Sequence, residues 1–291
     1  MSLADVVDLL ACPACAAQST PDAPLALDGG VLRCPDGHAY DVARQGHVNL
    51  LGRSAPRNAD GADMVAARER FLGSGAYDRV ADALAAAALA STGAAPAVLD
   101  VGAGPGWYLD RVLAGFDANA RRGRGLALDV SPAAARRAAR SPWPVGAVVA
   151  DAWERLPVRT ASVDVVVSVF APRRPAELAR VLVPGGLVVV VSPLPDHLAP
   201  LRAAWGLLDV EPGKQERLSA TFGAHLQPVA GTDVREVVAA DRAVLDDLVA
   251  MGPNAFHHQH AGGTVRPPDA GAAGLPDLAV AVRVSTWRRA G

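Results

Sequence analysis

From residue 97 onward the chain alternates short apolar runs with amphipathic stretches. Ala97-Val-Leu-Asp100-Val101, Gly125-Leu-Ala-Leu-Asp129, Ala147-Val-Val-Ala-Asp151-Ala152, Val163-Asp-Val-Val-Val-Ser-Val-Phe170 and Leu187-Val-Val-Val-Val191 read as strands. Their β-branched, near-continuous apolar character suits central strands covered on both faces. Between them, Trp107-Tyr-Leu-Asp-Arg-Val-Leu113 and Pro175-Ala-Glu-Leu-Ala-Arg-Val-Leu182 have helical spacing, and Pro184-Gly-Gly186 marks a turn. Two further strands, at about 234–240 and 278–287, are expected as an antiparallel edge pair, and residues 64–91 as a helix over the mouth of the sheet. This rhythm predicts an α/β chain with a doubly wound, mostly parallel seven-stranded Rossmann-like sheet, whose ligands bind at the carboxyl ends of the strands. Upstream, Leu25-Ala-Leu27, Asp28-Gly-Gly30 and Val31-Leu32 read as a β-hairpin. The division expected is a small module over 1–52 and a larger domain over 53–291.

Three strand ends carry chemistry. The first runs into Gly102-Ala-Gly104-Pro105-Gly106, a turn in which glycines allow unusual backbone angles and close approach of a ligand, followed by a helix N-terminus with free amides. A glycine-rich turn alone is shared with nucleotide-binding dehydrogenases. Here the spacing is GxGxG with Asp100 two residues ahead, not GxGxxG, so no pyrophosphate is implied. Asp129 ends the second strand where it could accept the hydroxyls of a ribose, and Asp151 ends the third where it could meet an adenine amino group. Acid, glycines, acid, acid at successive strand ends is the pattern of an S-adenosylmethionine site.

The three cysteines, Cys12, Cys15 and Cys34, all fall within the first 34 residues. An odd number argues against a disulfide framework. Cys12-Pro-Ala-Cys15 and Cys34-Pro-Asp-Gly-His38 instead offer three thiolates and an imidazole as two close pairs, the donor set of a tetrahedral zinc. Four protein ligands leave no open coordination position, so the expected zinc is structural, and in so short a module it would supply much of the folding free energy.

Composition changes the picture in two places. With 51% hydrophobic and 20% charged residues, disorder, collagen and a disulfide-stapled miniprotein are excluded. The 28 basic residues include a single lysine, Lys214, and are balanced by 30 acids. Residues 1–60 carry four arginines against seven acids, so the first module is no basic clamp by bulk charge, and any RNA contact depends on where Arg44, Arg53 and Arg57 are placed. The N-terminus has no basic leader and no apolar run reaches the roughly 18 residues of a bilayer span, so a cytoplasmic protein away from membranes is expected.

Taken in order, the local stretches resemble one family. They are the Cys12/Cys15 and Cys34/His38 pairs, Asp41-Val-Ala-Arg44-Gln-Gly46-His47-Val-Asn-Leu-Leu51, Asp63-Met-Val-Ala-Ala-Arg68, Phe71-Leu-x-Ser-Gly75-x-Tyr77, the Asp100 glycine loop, Phe170-Ala-Pro-Arg173, Pro184-Gly-Gly186 and Asp196-His197-Leu198. The whole chain resembles the bacterial 23S ribosomal RNA guanine-N1 methyltransferases of the RlmA family, in particular their actinomycete macrolide-resistance members of the tylosin type. What the resemblance implies is methyl transfer from S-adenosylmethionine to N1 of a guanine in a domain II hairpin lining the peptide exit tunnel, with 23S rRNA as partner and a homodimer left open. It also implies cofactor contacts by Tyr77, Gly104, Pro105 and His197. The family usually has tyrosine where this chain has His47.

The chemistry adds its own demands. Guanine N1 bears a proton at neutral pH and lies on the pairing edge, so the base must leave its stem and lose that proton. Trp107, Trp153 and Phe170 are the candidate platforms for such a base, and Phe170 also counts among the expected cofactor neighbours. Arg173 and Arg174, directly after the fourth strand, suit phosphate contact; Arg121, Arg122 and Arg124 read as a solvated cluster; His257, His258 and His260 fall in a Gly/Pro-bounded loop. No catalytic base can be assigned from the sequence. A small-molecule methyltransferase retaining the zinc module, and a cofactor-binding protein without turnover, are the competing readings.

Overall fold

The computed structural model describes residues 3–91, 93–211, 213–252 and 275–290. The chain begins with two 3-10 turns, then α1 (Pro13–Ala17), β1 (Ala26–Asp28), β2 (Val31–Arg33), β3 (Ala39–Asp41) and β4 (His47–Asn49). The expected hairpin is β1 and β2, with Asp28 opposite Val31. Gly29 and Gly30 both have positive φ, +54° and +90°, the conformation that a two-residue turn between twisted strands demands.

Next come α2 (Ala62–Gly73) and α3 (Asp78–Ala88), where one helix was expected. Gly75, at φ +84°, breaks the pattern. Its left-handed conformation stops α2 in the way glycine ends helices generally, and the short link that follows carries Tyr77 into the interior.

The remaining elements are β5 (Ala97–Val101), α4 (Trp107–Ala118), β6 (Arg124–Asp129), α5 (Pro132–Ala138), β7 (Val145–Val149), β8 (Val163–Val169), α6 (Pro175–Val181), β9 (Leu182–Pro193), α7 (Ala199–Trp205), α8 (Lys214–Gly223), β10 (Gln227–Val238), α9 (Arg242–Ala250) and β11 (Leu278–Arg288). The sheet order is β10-β11-β9-β8-β5-β6-β7-β4, with β10, β11 and β9 successively antiparallel and the rest parallel. All seven expected strands are present. Every residue of β5 and β7 is buried, as strands covered on both faces must be.

The eighth strand, β4, comes from the N-terminal module and pairs parallel with β7, His47 opposite Ala147. Docking is extensive. Ala11 N donates to Pro157 O at 3.0 Å and Arg159 N to Leu9 O at 2.8 Å, while Arg124 pairs with Asp8 at 2.6 Å. A Cβ on Gly146 would lie 2.3 Å from Val6 Cγ2, so glycine there is required by the module's close approach. Leu9, Leu10 and Leu32 share one apolar cluster with Leu126, Val148 and Val158, so residues 1–52 have no separate core.

Candidate functional site

The strands β5, β6 and β7 advance in one direction and β8 and β9 in the other, so the crevice forms between the carboxyl ends of β5 and β8. A cavity of about 480 Å³ occupies it. Of the expected cofactor neighbours, Tyr77, Gly102, Gly104, Pro105, Asp129, Asp151, Ala152, Phe170 and His197 line it, while Asp100 and Gly106 lie behind its wall. The three loop glycines have φ of +76°, +53° and +86°. Two of them are needed by the protein itself as much as by a ligand: a Cβ on Gly102 would be 2.4 Å from Ala171 Cβ, and one on Gly106 3.2 Å from Ala138 Cβ.

Carboxylates dominate the electrostatics. Asp129 Oδ2 accepts from Gly104 N at 2.8 Å and its Oδ1 from Ser131 N at 2.8 Å, which ties the glycine loop to the end of β6. Burial nonetheless pushes its pKa upward. Asp151 accepts from Trp153 N at 2.9 Å and from Arg53 Nη2 at 2.7 Å. Asp60 is paired with Arg68, which also donates to Met251 O at 2.7 Å. Beneath the loop Asp100 is 1% exposed, and its Oδ2 has no hydrogen-bond partner. Burial, with the fields of Asp129 and Asp110, pushes its pKa up to about 8. Of the three carboxylates on the cavity wall, Asp60 and Asp151 are each paired with an arginine, and Asp129, held by two backbone amides, has no ion-pair partner among the described residues, so a cationic ligand fits beside it.

The aromatic wall is built around His197. Ala281 N donates to His197 Nδ1 at 3.2 Å, so Nδ1 is the unprotonated nitrogen. Burial, then Arg202, lowers its pKa to about 4, so the ring is neutral and its one proton is on Nε2, 3.2 Å from the Tyr77 oxygen. Tyr77 therefore accepts from His197, and its own hydrogen is left to point elsewhere. Burial holds the Tyr77 phenol well above its ordinary pKa, so it stays protonated. Phe170 stacks on His197 with centroids 5.7 Å apart and a 25° angle, is 40% exposed, and has a left-handed φ of +51°. Such strain in a non-glycine residue persists only where surroundings enforce it. Trp153, 62% exposed, stands on the same rim. Trp107 turns away, lining a smaller cavity of about 210 Å³ with Arg137 and Arg140.

At the other face, the ligand atoms of Cys12, Cys15, Cys34 and His38 all lie within 4.8 Å of one another. Cys15 and Cys34 Sγ are 3.5 Å apart, and His38 Nδ1 is 3.3 Å from each of them and 3.7 Å from Cys12 Sγ. Four donors around a common point, at spacings close to the edges of a tetrahedron with Zn–S bonds of about 2.3 Å, fit one zinc ion. Among the described residues no other group of three or more His, Cys, Asp or Glu could hold a metal.

Comparison with known proteins agrees with both halves. Residues 10–53 match the model of the RlmA N-terminal zinc ribbon, and residues 98–186 that of a methyltransferase domain. The chain is 44% identical over 255 residues, 87% of its length and 88% of the other's, to the 23S rRNA (guanine(748)-N(1))-methyltransferase of Streptomyces fradiae. It belongs to the 23S rRNA guanine-N1 methyltransferase family. A protein from Micromonospora griseorubida named for the same 23S rRNA (guanine-N1) reaction is 42% identical over 90% of this chain and 92% of its own. A Bacillus subtilis protein so named is 32% identical over 84% and 86%. Among solved structures, a chain from a methyltransferase–activator complex of Haloferax volcanii shares the fold with TM-score 0.50 and 19% identity, covering 80% of this chain and 99% of that one.

The arginines of this methyltransferase fall into distinct groups. Arg53 is held by Asp151 and by Glu154 at 3.0 Å. Arg121 and Arg124 are tied down by Gly93 O and Asp8, respectively. Arg44 and Arg57 are exposed, and Arg174 donates to Trp153 O at 3.3 Å. The ring of His47 is half-buried on β4, with Nδ1 buried and unpartnered and the charge of Arg136 acting on it. Unforeseen in the sequence were Asp60, Arg68, Leu248 and Met251, all lining the cavity. Arg68 on an amphipathic helix reads as solvated, and α9 as ordinary core. His257, His258 and His260 lie outside the described residues.

Proposed function

We propose that this chain transfers a methyl group from S-adenosylmethionine to N1 of a guanine in 23S rRNA. The target we infer is in a domain II hairpin lining the peptide exit tunnel, with macrolide resistance as the physiological consequence. The name of the Streptomyces fradiae relative, a 23S rRNA (guanine(748)-N(1))-methyltransferase, supports N1 of a single 23S rRNA guanine as the acceptor. The observation that carries the reading is the joining of an acid-walled cavity to an exposed aromatic rim, Phe170 and Trp153, at the switch point of the sheet. The cofactor would supply an activated methyl group. Asp129 and Asp151 suit its hydroxyl and amino groups, Gly104 and Pro105 its close approach, and the acidic character of the wall its positive charge. We further propose one structural zinc on Cys12, Cys15, Cys34 and His38 in a module that contributes to RNA recognition, and a cytoplasmic location; no described helix is long and apolar enough to cross a membrane.

What the residues do is alignment, which can lower a barrier by several kcal/mol. Phe170 and Trp153 receive a flipped base by stacking, worth about 1–3 kcal/mol per base. His197 fixes Tyr77, and with one nitrogen accepting from a backbone amide and the other carrying the ring proton it is a positioning residue, not a base. Asp60, Asp129 and Asp151, the carboxylates on the cavity wall, are each engaged by an arginine or backbone amides, so the guanine proton has no preassigned acceptor there. Reverse transcription tests the whole reading. N1 methylation blocks pairing, so incubation of unmodified 23S RNA with protein and S-adenosylmethionine should create a stop one nucleotide short of a single guanine. No stop, together with methylation of a small metabolite, would overturn it.

A further inference from the structure

Lys214, the single lysine of the chain, opens α8. The next residue pins that helix start to the sheet: Gln215 Nε2 donates to Ser192 Oγ at 3.0 Å and to Pro193 O at 3.2 Å, at the carboxyl end of β9. Arg173 follows the carboxyl end of the adjacent strand β8, three residues beyond Phe170. Its side chain is half-buried, and Nη1 is buried without a hydrogen-bond partner. Burial lowers the Arg173 pKa to about 10, and burial together with the field of Arg173 lowers that of Lys214. Among the described residues neither forms an ion pair. Glu211, whose field reaches Lys214, is itself paired with Arg217 at 2.9 Å.

Two crowded cations without a carboxylate between them are an arrangement that folding alone disfavours. It becomes favourable when an anion enters. Neither residue lines the cavity, so the anion belongs outside it, on the side from which the field of Lys214 reaches His197. We propose that Arg173 and Lys214 form a cradle for a backbone phosphate of the RNA, next to the nucleotide whose base stacks at the rim. This rests on the RNA methyl-transfer reading and adds to it the element that anchors the flipped nucleotide by its backbone. The arginine provides planar, two-pronged contact and the lysine a point charge.

The test is salt-dependent binding of the full chain, saturated with S-adenosylhomocysteine, to a transcript of the 23S rRNA domain II hairpin. For wild type, R173Q, K214Q, the double variant and R173K, the slope of log affinity against log salt is measured. Each lost phosphate contact should lower that slope by about 0.7–0.9. The double variant should bind and methylate at least about tenfold less well at moderate salt while its cofactor affinity and melting temperature hold or rise, and R173K should keep most of the slope. K214Q carries the test if R173Q fails to fold. A double variant with the wild-type slope overturns the cradle while leaving the methyl-transfer reading intact. A wild-type protein that neither binds nor methylates the transcript overturns both.

Discussion

Asp100 is placed where its ionisation opposes folding, and this can be measured. It is 1% exposed, its Oδ2 has no partner, and its pKa is pushed from an ordinary 3.8 to about 8 by burial first, then by Asp129 and Asp110. A raised carboxyl pKa means that the folded state holds a proton the unfolded chain has lost. The associated stability is fully present below about pH 4, declines as pH rises, and is gone above about pH 8. Within that window each pH unit removes at most about 1.4 kcal/mol, giving a ceiling of about 4 kcal/mol at pH 7. Asp100→Asn has nothing to ionise. Whatever fixed effect the amide has, the stability difference between variant and wild type should shift in favour of the variant between pH 5 and pH 8, by at least about 1 kcal/mol of that ceiling. Urea unfolding of both proteins without cofactor at pH 5, 6, 7 and 8 measures it. Saturating S-adenosylmethionine should flatten the wild-type curve, since a cation nearby favours the ionised acid, and should bind the variant more weakly. A difference that is the same at every pH would refute the assignment of a protonated, uncompensated Asp100.

Gly102→Ala should destabilise the fold by about 2 kcal/mol or more, from left-handed strain and a Cβ 2.4 Å from Ala171, whereas Gly52→Ala, with nothing within 4 Å, should show the strain alone; chemical denaturation compares them. Trp153→Ala, at a residue 62% exposed, should leave the melting temperature within about 2 °C and cofactor affinity unchanged while cutting RNA methylation at least about tenfold, read by primer extension. Protein purified without chelator should contain about one zinc per chain, and Cys34→Ser should lose it, melt lower and methylate less RNA while still binding cofactor; metal analysis and calorimetry would expose the error if the wild type holds none.

The parallel core was legible because buried strands announce themselves. Val163 to Val169 and Leu187 to Val191 have no alternative to being covered on both faces. The gathering of Cys12, Cys15, Cys34 and His38 was legible because their spacing is itself chemistry. Tertiary decisions were not. Nothing local distinguishes Gly75 as a helix breaker from a tolerated glycine, yet that break delivers Tyr77 to His197. The His197 tautomer depends on Ala281, 84 residues away, and the pairing of β4 with β7 depends on a module whose own core is the back of the sheet.

Bulk charge was the least informative feature, and the structure shows why. A net charge of −2 gives no hint of an RNA-binding surface. But many acids are spent internally against arginines: Asp8 holds Arg124, Asp151 and Glu154 hold Arg53, Asp247 holds Arg70, and Asp233 holds both Arg235 and Arg283. Paired charges contribute little field at a distance in salt. What an RNA would meet is the residue of that cancellation, and near the cavity it is cationic, with Arg57, Arg173, Arg174 and Lys214 all outside ion pairs among the described residues. A sequence sums charge over the whole molecule, whereas a polyanion responds to the unpaired charges within about a Debye length of its phosphates. For this chain the two measures have opposite signs outside the cavity, where the unpaired cations stand, and not within its acidic wall.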